Sequence, residues 1–209
     1  MKITLVLLAI AVLCAACAYH LLSNRPSQAT IALTAKLKGK VAIVYYSQSQ
    51  VQNTATLARW IQKHTGGDLI PLEMAKPYPE PYSATLKTAE QDFKSGHLPE
   101  LKSIPTLDGY DIVFIGTPIW YGTYAPPLGT FLKANTLSGK TVAPFSTHGG
   151  GGAGRFDADL RKACPQAILL EGLILRGSNQ IERRLMRGIS LRHTEDDVVN
   201  WLNRIFAST

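Results

Sequence analysis

The sequence predicts an α/β domain built on a five-stranded parallel β-sheet that is wound on both sides by helices. Short apolar segments bounded by turn residues, which are typical of buried parallel strands, recur along residues 41–175. Segments with helical spacing of apolar residues lie between them, and strands that alternate with helices form a parallel sheet. The composition is that of a folded chain, because 45% of the 209 residues are hydrophobic and 18% are charged.

The predicted elements alternate from residue 41 to the C-terminus. Strands are predicted over residues 41–46, 69–74, 112–116, 141–145 and 168–175. Helices are predicted over residues 54–64, 83–95, 126–135, 155–163 and 195–206. The first helix shows the pattern best, since Leu57, Ala58 and Ile61 share one face and Gly66 follows its end. Ligands of such sheets bind at the carboxyl ends of the strands, so the loops after the first, third and fourth strands form the candidate site.

The N-terminal region differs from this domain. Residues 3–22 are almost entirely apolar, which at about 20 residues is long enough to span a bilayer, and residues 3–17 have the length of a signal-peptide core. We expect residues 1–22 to be a signal peptide or membrane anchor, residues 23–39 a tether and residues 40–209 the domain. Ordinary cleavage, lipoprotein processing at Cys17 and retention as an anchor all remain open.

These features predict a membrane-associated or exported protein, with the bacterial periplasmic side favoured. The basic residues that follow the apolar segment would instead favour a cytoplasmic domain if the helix is retained. Cys14 and Cys17 lie in the leader and Cys164 is alone, so we expect no disulfide within the domain. The five histidines show no metal-ligand spacing, and no metal site is expected.

Positive charge is concentrated outside the body of the domain. The net charge is +7, yet residues 40–175 hold 12 basic and 11 acidic residues. This distribution argues against nucleic-acid binding, which needs a broad basic face. Residues 176–193 hold five arginines and one glutamate. They are interpreted either as a solvated surface or as a docking site for an anionic membrane surface or acidic redox partner through Arg183, Arg184 and Arg187.

The loop after the first strand, residues 47–54, carries hydroxyl and amide side chains directly before a helix. It has neither the lysine of a nucleoside-triphosphate loop nor the glycine pattern of a dinucleotide-binding fold. Neutral donors at a helix N-terminus suit a single phosphate group. Capping of the helix by Asn53 or Thr54 explains the same residues equally well.

The other two loops carry aromatic residues and glycines. Trp120 and Tyr121 could stack on a flat conjugated ring or cover the core. Residues 149–154 contain five glycines, which leave the backbone open to a ligand. Phosphate donors, aromatic rings and an open backbone together describe a pocket for FMN.

Six motifs occur in order between residues 41 and 177, over about two thirds of the chain. They are Tyr45-Tyr46-Ser47, Lys76-Pro77-Tyr78-Pro79, Pro118-Ile119-Trp120-Tyr121-Gly122, Leu137-Ser138-Gly139-Lys140-Thr141, Thr147-His148-Gly149-Gly150 and Leu170-Glu171-Gly172-Leu173. Together they resemble the flavodoxin-like family, especially its short-chain bacterial branch. The resemblance implies the strand order 2-1-3-4-5 and FMN as cofactor.

The resemblance also implies where FMN binds. The implied cofactor-binding residues are Ser47, Gln48, Ser49, Asn53, Thr54, Pro118, Ile119, Trp120, Tyr121, Gly122, Thr147, His148, Gly149, Gly150 and Gly154. The phosphate is expected at Ser47, Ser49, Asn53 and Thr54, and the isoalloxazine ring between the Trp120 loop and the glycine loop. The first loop departs from the family, because Gln50-Val51-Gln52 replaces a single glycine.

We therefore expect an FMN-binding redox protein, either an electron carrier or an FMN-dependent oxidoreductase with an unidentified redox partner or small acceptor. No catalytic residue is predicted. Two other classes remain: a flavin-free scaffold that keeps the fold, and a module that binds anionic surfaces.

Overall fold

The computed structural model describes residues 37–49, 51–80, 82–177 and 189–207. The predicted signal peptide or anchor and most of the predicted tether lie outside the described residues, as do Arg183, Arg184 and Arg187. Among the helices that the described residues form, none combines the length and apolar character needed to cross a membrane.

Seven strands and five helices alternate along these residues. The strands are β1 (Val41–Tyr45), β2 (Asp68–Pro71), β3 (Ile112–Trp120), β4 (Thr123–Tyr124), β5 (Thr141–His148), β6 (Ile168–Leu169) and β7 (Leu173–Arg176). The helices are α1 (Asn53–Thr65), α2 (Tyr82–Ser95), α3 (Pro126–Ala134), α4 (Phe156–Ala163) and α5 (Ile189–Ile205). All five predicted helices are present, although α5 begins at Ile189 and not near residue 195.

The main sheet is parallel, with the order β2-β1-β3-β5-β6 and with β7 also paired to β5. The short strand β4 forms an antiparallel hairpin with β3. The predicted order 2-1-3-4-5 is therefore confirmed, with β6 and β7 in the place of the fifth strand. The chain passes from β1 to β2 on one side of β1 and then crosses to β3 on the other side, so the strand order reverses at β1 and the carboxyl end of β1 lies at the switch point.

The fifth strand is interrupted, whereas the sequence predicted one strand over residues 168–175. The Leu170 amide donates to the Val142 carbonyl, so the backbone groups of Val142 point toward the fifth strand. Residues two apart in a strand point to the same neighbour, so the backbone groups of Pro144 point there as well. Pro144 has no N–H to donate, and pairing stops opposite it. The pairing resumes at Leu173 with the register shifted by one residue.

Two other strands extend further than predicted. β3 runs to Trp120 and not to residue 116, and β5 runs to His148 and not to residue 145. Pro118 and Thr147 are consequently paired strand residues. Residues 117–120 and 146–148, which were predicted as loops, therefore belong to the sheet.

The side chains of the sheet alternate between two cores. Val113 and Ile115 face the core formed with α2, α3 and α4. Ile112 and Phe114 face the core formed with α1 and α5. Trp201 of α5 packs edge-on against Phe114, with ring centroids 5.7 Å apart, and donates its indole N–H to the Glu171 carbonyl at 2.9 Å. Both faces of the sheet are thus covered, as a parallel sheet requires.

Candidate functional site at the carboxyl edge of the sheet

Three segments meet at the carboxyl edge of the sheet because β1, β3 and β5 are adjacent. The first loop (residues 46–52) follows β1, the β3–β4 turn follows Trp120, and the glycine loop (residues 149–154) follows His148. These are the segments that the sequence predicted as the site.

Tyr46 and Gln48 fix the inner side of the first loop. The buried Tyr46 hydroxyl donates to Gln48 Oε1 at 2.9 Å and lies 3.3 Å from Met74 Sδ. Gln48 Nε2 lies 3.4 Å from the Tyr78 carbonyl, to which it donates. Burial raises the pKa of the Tyr46 hydroxyl above its ordinary value, so this group stays a donor at neutral pH. The predicted site residue Gln48 is therefore held by its neighbours within the protein.

Helix α1 begins without a side-chain cap. Its N-cap is Gln52, and both Asn53 and Thr54 lie within the first turn, so the interpretation of either as the N-cap is wrong. Gln52 has φ 53° and ψ 39°, and its backbone N–H and Nε2 both donate to the Ser49 carbonyl at 2.9 Å. Gln52 thus adopts the left-handed conformation that glycine takes most readily, within the segment that replaces the family's glycine.

Ser47 and Ser49 lie between β1 and this helix N-terminus. Both residues are half-buried, and neither hydroxyl bonds to another of the described residues. Helix N-terminal amides and free hydroxyls are neutral donors, the set that a phosphate group accepts from. The predicted phosphate donors Ser47 and Ser49 are therefore free to bind a ligand.

Thr54 and Thr147 join the start of α1 to the end of β5. Their hydroxyls lie 2.9 Å apart, and the two residues are 2% and 7% exposed. Pro118 of β3 is the register partner of Thr147. The Asn53 amide group lies against the backbone of Gly177, where a Cβ atom would come within 2.5 Å of Nδ2. The structure thus brings together predicted residues from the start of α1, from β3 and from β5.

The β3–β4 turn is a two-residue hairpin. Tyr121 and Gly122 have φ values of 49° and 77°, the positive pair that such hairpins favour. The Gly122 carbonyl accepts from the amide of Arg155, which directly follows the glycine loop, at 2.7 Å. Gly154 packs directly on Gly122 and leaves no space for a side chain. The predicted site residues Gly122 and Gly154 are therefore in contact.

The two adjacent aromatic residues have different environments. Trp120 is 4% exposed and packs edge-on against Tyr46 and Tyr78, with centroid distances of 5.9 and 5.6 Å. Tyr121 is 46% exposed, packs edge-on against Phe93 and donates to the Leu86 carbonyl at 2.9 Å. Trp120 thus lies in the core, which was the alternative interpretation of this residue. Stacking of Trp120 on a ligand ring stays a prediction. Ile119 is half-buried beside them.

The glycine loop is open. Gly149, Gly150, Gly151 and Gly152 have no atom within 4 Å of the position that a Cβ would occupy. His148 lies at the end of β5, and its Nδ1 accepts from the amides of Gly150 and Gly152 at 3.0 and 3.1 Å. A planar ligand can therefore approach the loop backbone without displacing a side chain.

Asp159 was not predicted as a site residue. Its Oδ2 accepts from the Thr123 hydroxyl at 2.6 Å and from Arg155 Nε at 2.7 Å. This carboxylate joins the β3–β4 hairpin to α4. The Arg155–Asp159 spacing is visible in the sequence as an i,i+4 pair, but the contact with Thr123 depends on tertiary structure.

The fold is that of an α/β protein whose candidate site lies at a topological switch point. The model of the flavodoxin family matches residues 40–205. The chain therefore belongs to the flavodoxin family.

Solved structures agree with this assignment. A Bacteroides eggerthii protein designated a flavoprotein is 29% identical, with a TM-score of 0.63 over 80% of this chain and 98% of that chain. A second designated flavoprotein, from Bacteroides uniformis, is 26% identical, with a TM-score of 0.58 over 71% of this chain and 97% of that chain.

A third similar structure contains the predicted cofactor. The flavoprotein of Lactobacillus acidophilus in complex with FMN is 22% identical, with a TM-score of 0.56 over 70% of this chain and 98% of that chain. At this identity the likeness shows the fold. No curated protein matches the sequence. Membership of the flavodoxin family supports the predicted cofactor, FMN.

Proposed function

We propose that this protein binds one FMN at the carboxyl edge of its sheet and uses it in electron transfer, as an electron carrier or as an FMN-dependent oxidoreductase. The observation that supports this proposal best is that the Ser47 and Ser49 hydroxyls, in the loop before α1, bond to no other described residue, and that the side chain of the N-cap residue Gln52 does not cap the helix. The open glycine loop lies at the same edge.

The described residues fit this cofactor. Ser47, Ser49 and the first amides of α1 would hold the phosphate, where the helix dipole also favours negative charge. Tyr121 and the backbone of the glycine loop would lie against the isoalloxazine ring. Thr54 and Thr147, linked to each other, would close the pocket between the two sites. Bound FMN supplies the capacity to accept and release one or two electrons.

Titration of the apoprotein with FMN, riboflavin and FAD tests the proposal. We expect a 1:1 complex with FMN, and weaker binding of riboflavin because it lacks the phosphate. FAD should bind poorly, since the first loop is sized for one phosphate group and the dinucleotide glycine pattern is missing. Absence of any flavin binding would favour the flavin-free scaffold. Equal affinities for FMN and riboflavin would show that the protein does not bind the phosphate group, and the assignment of the phosphate site would be wrong.

Serine variants locate the phosphate. Ser47→Ala and Ser49→Ala should each weaken FMN binding by about 1 kcal/mol, the typical contribution of one hydrogen bond, and leave riboflavin binding unchanged. Ser138→Ala is the matched control, because exposed Ser138 precedes β5 at the opposite edge of the sheet. Equal losses for both flavins would indicate a general disturbance of the loop.

We also propose that residues 1–22 direct the protein to a membrane or across it. The support is their apolar sequence, and these residues lie outside the described part of the chain. Docking on an anionic membrane surface or on an acidic redox partner through Arg183, Arg184 and Arg187 remains a proposal of the same kind. Its support is the excess of positive charge in residues 176–193.

A further inference from the structure

His148 links the end of β5 to the glycine loop. Its backbone belongs to β5, and its carbonyl accepts from the Gly177 amide at 2.9 Å. Its side chain turns back to the loop, where Nδ1 accepts from the Gly150 and Gly152 amides at 3.0 and 3.1 Å. One ring nitrogen thus ties two alternate residues of the loop to the end of a rigid strand.

The described residues offer the loop little other support. Residues 149–152 form no further hydrogen bond with the part of the chain that the structure describes. Their Cβ positions have no neighbour within 4 Å. Gly150 and Gly152 have φ values of 133° and 74°, which only glycine adopts readily. A glycine segment of this kind has high conformational entropy, so the two bonds to His148 select its conformation.

The two ring nitrogens of His148 have separate roles in this arrangement. Because Nδ1 accepts hydrogen bonds, the hydrogen of the neutral ring lies on Nε2. No described residue accepts a hydrogen bond from Nε2. The side chain could therefore act on a ligand in two ways, by shaping the loop through Nδ1 or by direct contact through Nε2.

We propose that His148 is a positioning residue, which holds the glycine loop through Nδ1 in the conformation that receives the isoalloxazine ring. This inference rests on the proposed FMN function, and it assigns to His148 an action through the loop. The reason is geometric: both bonds of Nδ1 are made to amides of the glycine loop itself.

Two substitutions separate the roles of the two nitrogens. In His148→Asn, the Oδ1 atom stands near the position of Nδ1 and can accept the two amides. In His148→Gln, the terminal amide stands near the position of Nε2 and the inner acceptor is lost. His97→Asn is the matched control, since exposed His97 follows the end of α2 and its side chain bonds to no described residue.

Two measurements apply to each variant. Amide hydrogen exchange of Gly150 and Gly152 is measured without flavin, and FMN affinity is measured by titration. We expect His148→Gln to accelerate exchange at both amides and to weaken FMN binding about tenfold, as the loss of two hydrogen bonds implies. His148→Asn should retain slow exchange and affinity within about threefold, and His97→Asn should change neither.

Three results would overturn the inference or separate it from the proposed function. Unchanged exchange in His148→Gln would show that Nδ1 does not hold the loop. Slow exchange in His148→Asn combined with a tenfold loss of affinity would show that Nε2 acts directly. Failure of the unmodified protein to bind FMN would overturn the proposed function alone, and exchange of the two amides would still decide whether His148 holds the loop.

Discussion

Trp120 and Tyr121 are neighbours in sequence, yet they have different physical roles. The Trp120 indole is enclosed by Tyr46 and Tyr78, and burial of so large a ring stabilises the fold whether or not a ligand is bound. Tyr121 lies at the surface of the same edge. Its ring is the one of the two that a ligand can reach without repacking the core.

Alanine substitutions distinguish these roles. Trp120→Ala should lower the free energy of unfolding of the apoprotein by about 3–5 kcal/mol, because it leaves a large cavity. Tyr121→Ala should cost about 1 kcal/mol in the apoprotein, since only a partly exposed ring and one hydrogen bond are lost. It should weaken FMN binding by about 1–3 kcal/mol. Urea denaturation and FMN titration measure the two effects. A Trp120→Ala protein of unchanged stability but much lower affinity would reverse the assignment.

The sequence could predict the types of residue at the site better than their environments. Ser47 and Ser49 follow the first strand directly, so their place at the edge depends only on that strand. The burial of Trp120 depends on Tyr78, which is far away in the chain and approaches only through tertiary structure. The same reason explains why Asp159 was not predicted.

At the scale of elements, α4 supports the site through its first turn. Asp159 binds both Thr123 of the hairpin and Arg155 at the start of the helix. The Gly122 carbonyl accepts from the Arg155 amide at 2.7 Å. The hairpin, the end of the glycine loop and α4 are thus joined at one point, and we expect the site to depend on it.

The matched pair Asp159→Ala and Asp157→Ala tests this expectation. Both carboxylates lie in the first turn of α4 and contribute similarly to its dipole interaction. Among the described residues, Asp157 pairs only with Arg161, in an exposed i,i+4 pair, so its removal should change stability by less than about 0.5 kcal/mol. Asp159→Ala should cost about 1–2 kcal/mol in stability and weaken FMN binding about fivefold. Thermal denaturation and FMN titration check both values, and equal effects of the two variants would contradict this role.

The helices and the order of the strands could be predicted, but the continuity of the strands could not. Pro144 is visible in the sequence, yet the side toward which its missing N–H would point depends on the register between strands. The extension of β3 to Trp120 likewise depends on pairing with β5 and β4. These are long-range interactions, which local patterns do not contain.

At the scale of the whole molecule, the N-terminal segment and the domain have separate properties. The first strand begins at Val41, and Leu37 already packs against the core shared by α1 and α5. The predicted tether, residues 23–39, therefore includes one residue that belongs to the domain core.

Two truncations test this boundary. Removal of residues 1–36 should give a soluble, folded protein, because β1 and Leu37 are kept. Removal of residues 1–38 should also give a folded protein, with its free energy of unfolding lower by about 1 kcal/mol because the Leu37 contact is lost. Size-exclusion chromatography and urea denaturation measure these outcomes. Aggregation of both truncated proteins, when the full chain in detergent does not aggregate, would show that the boundary is wrong.

The meeting of the three loops at one edge could be predicted because it depends on topology. In any parallel sheet of the order 2-1-3-4-5, the loops after the first, third and fourth strands meet at one edge. The number of residues in each loop and the contacts between loops, such as Gly122 with Gly154, required the structure.

The most direct test of FMN binding is an absorbance spectrum of the gently purified full chain, with chemical identification of any released flavin. We expect a yellow protein that carries roughly one FMN per chain, or a colourless apoprotein that retains roughly one FMN per chain after incubation with FMN and removal of the free flavin. A protein that is colourless and takes up no FMN, or one that releases FAD, would contradict the proposal that this protein binds FMN.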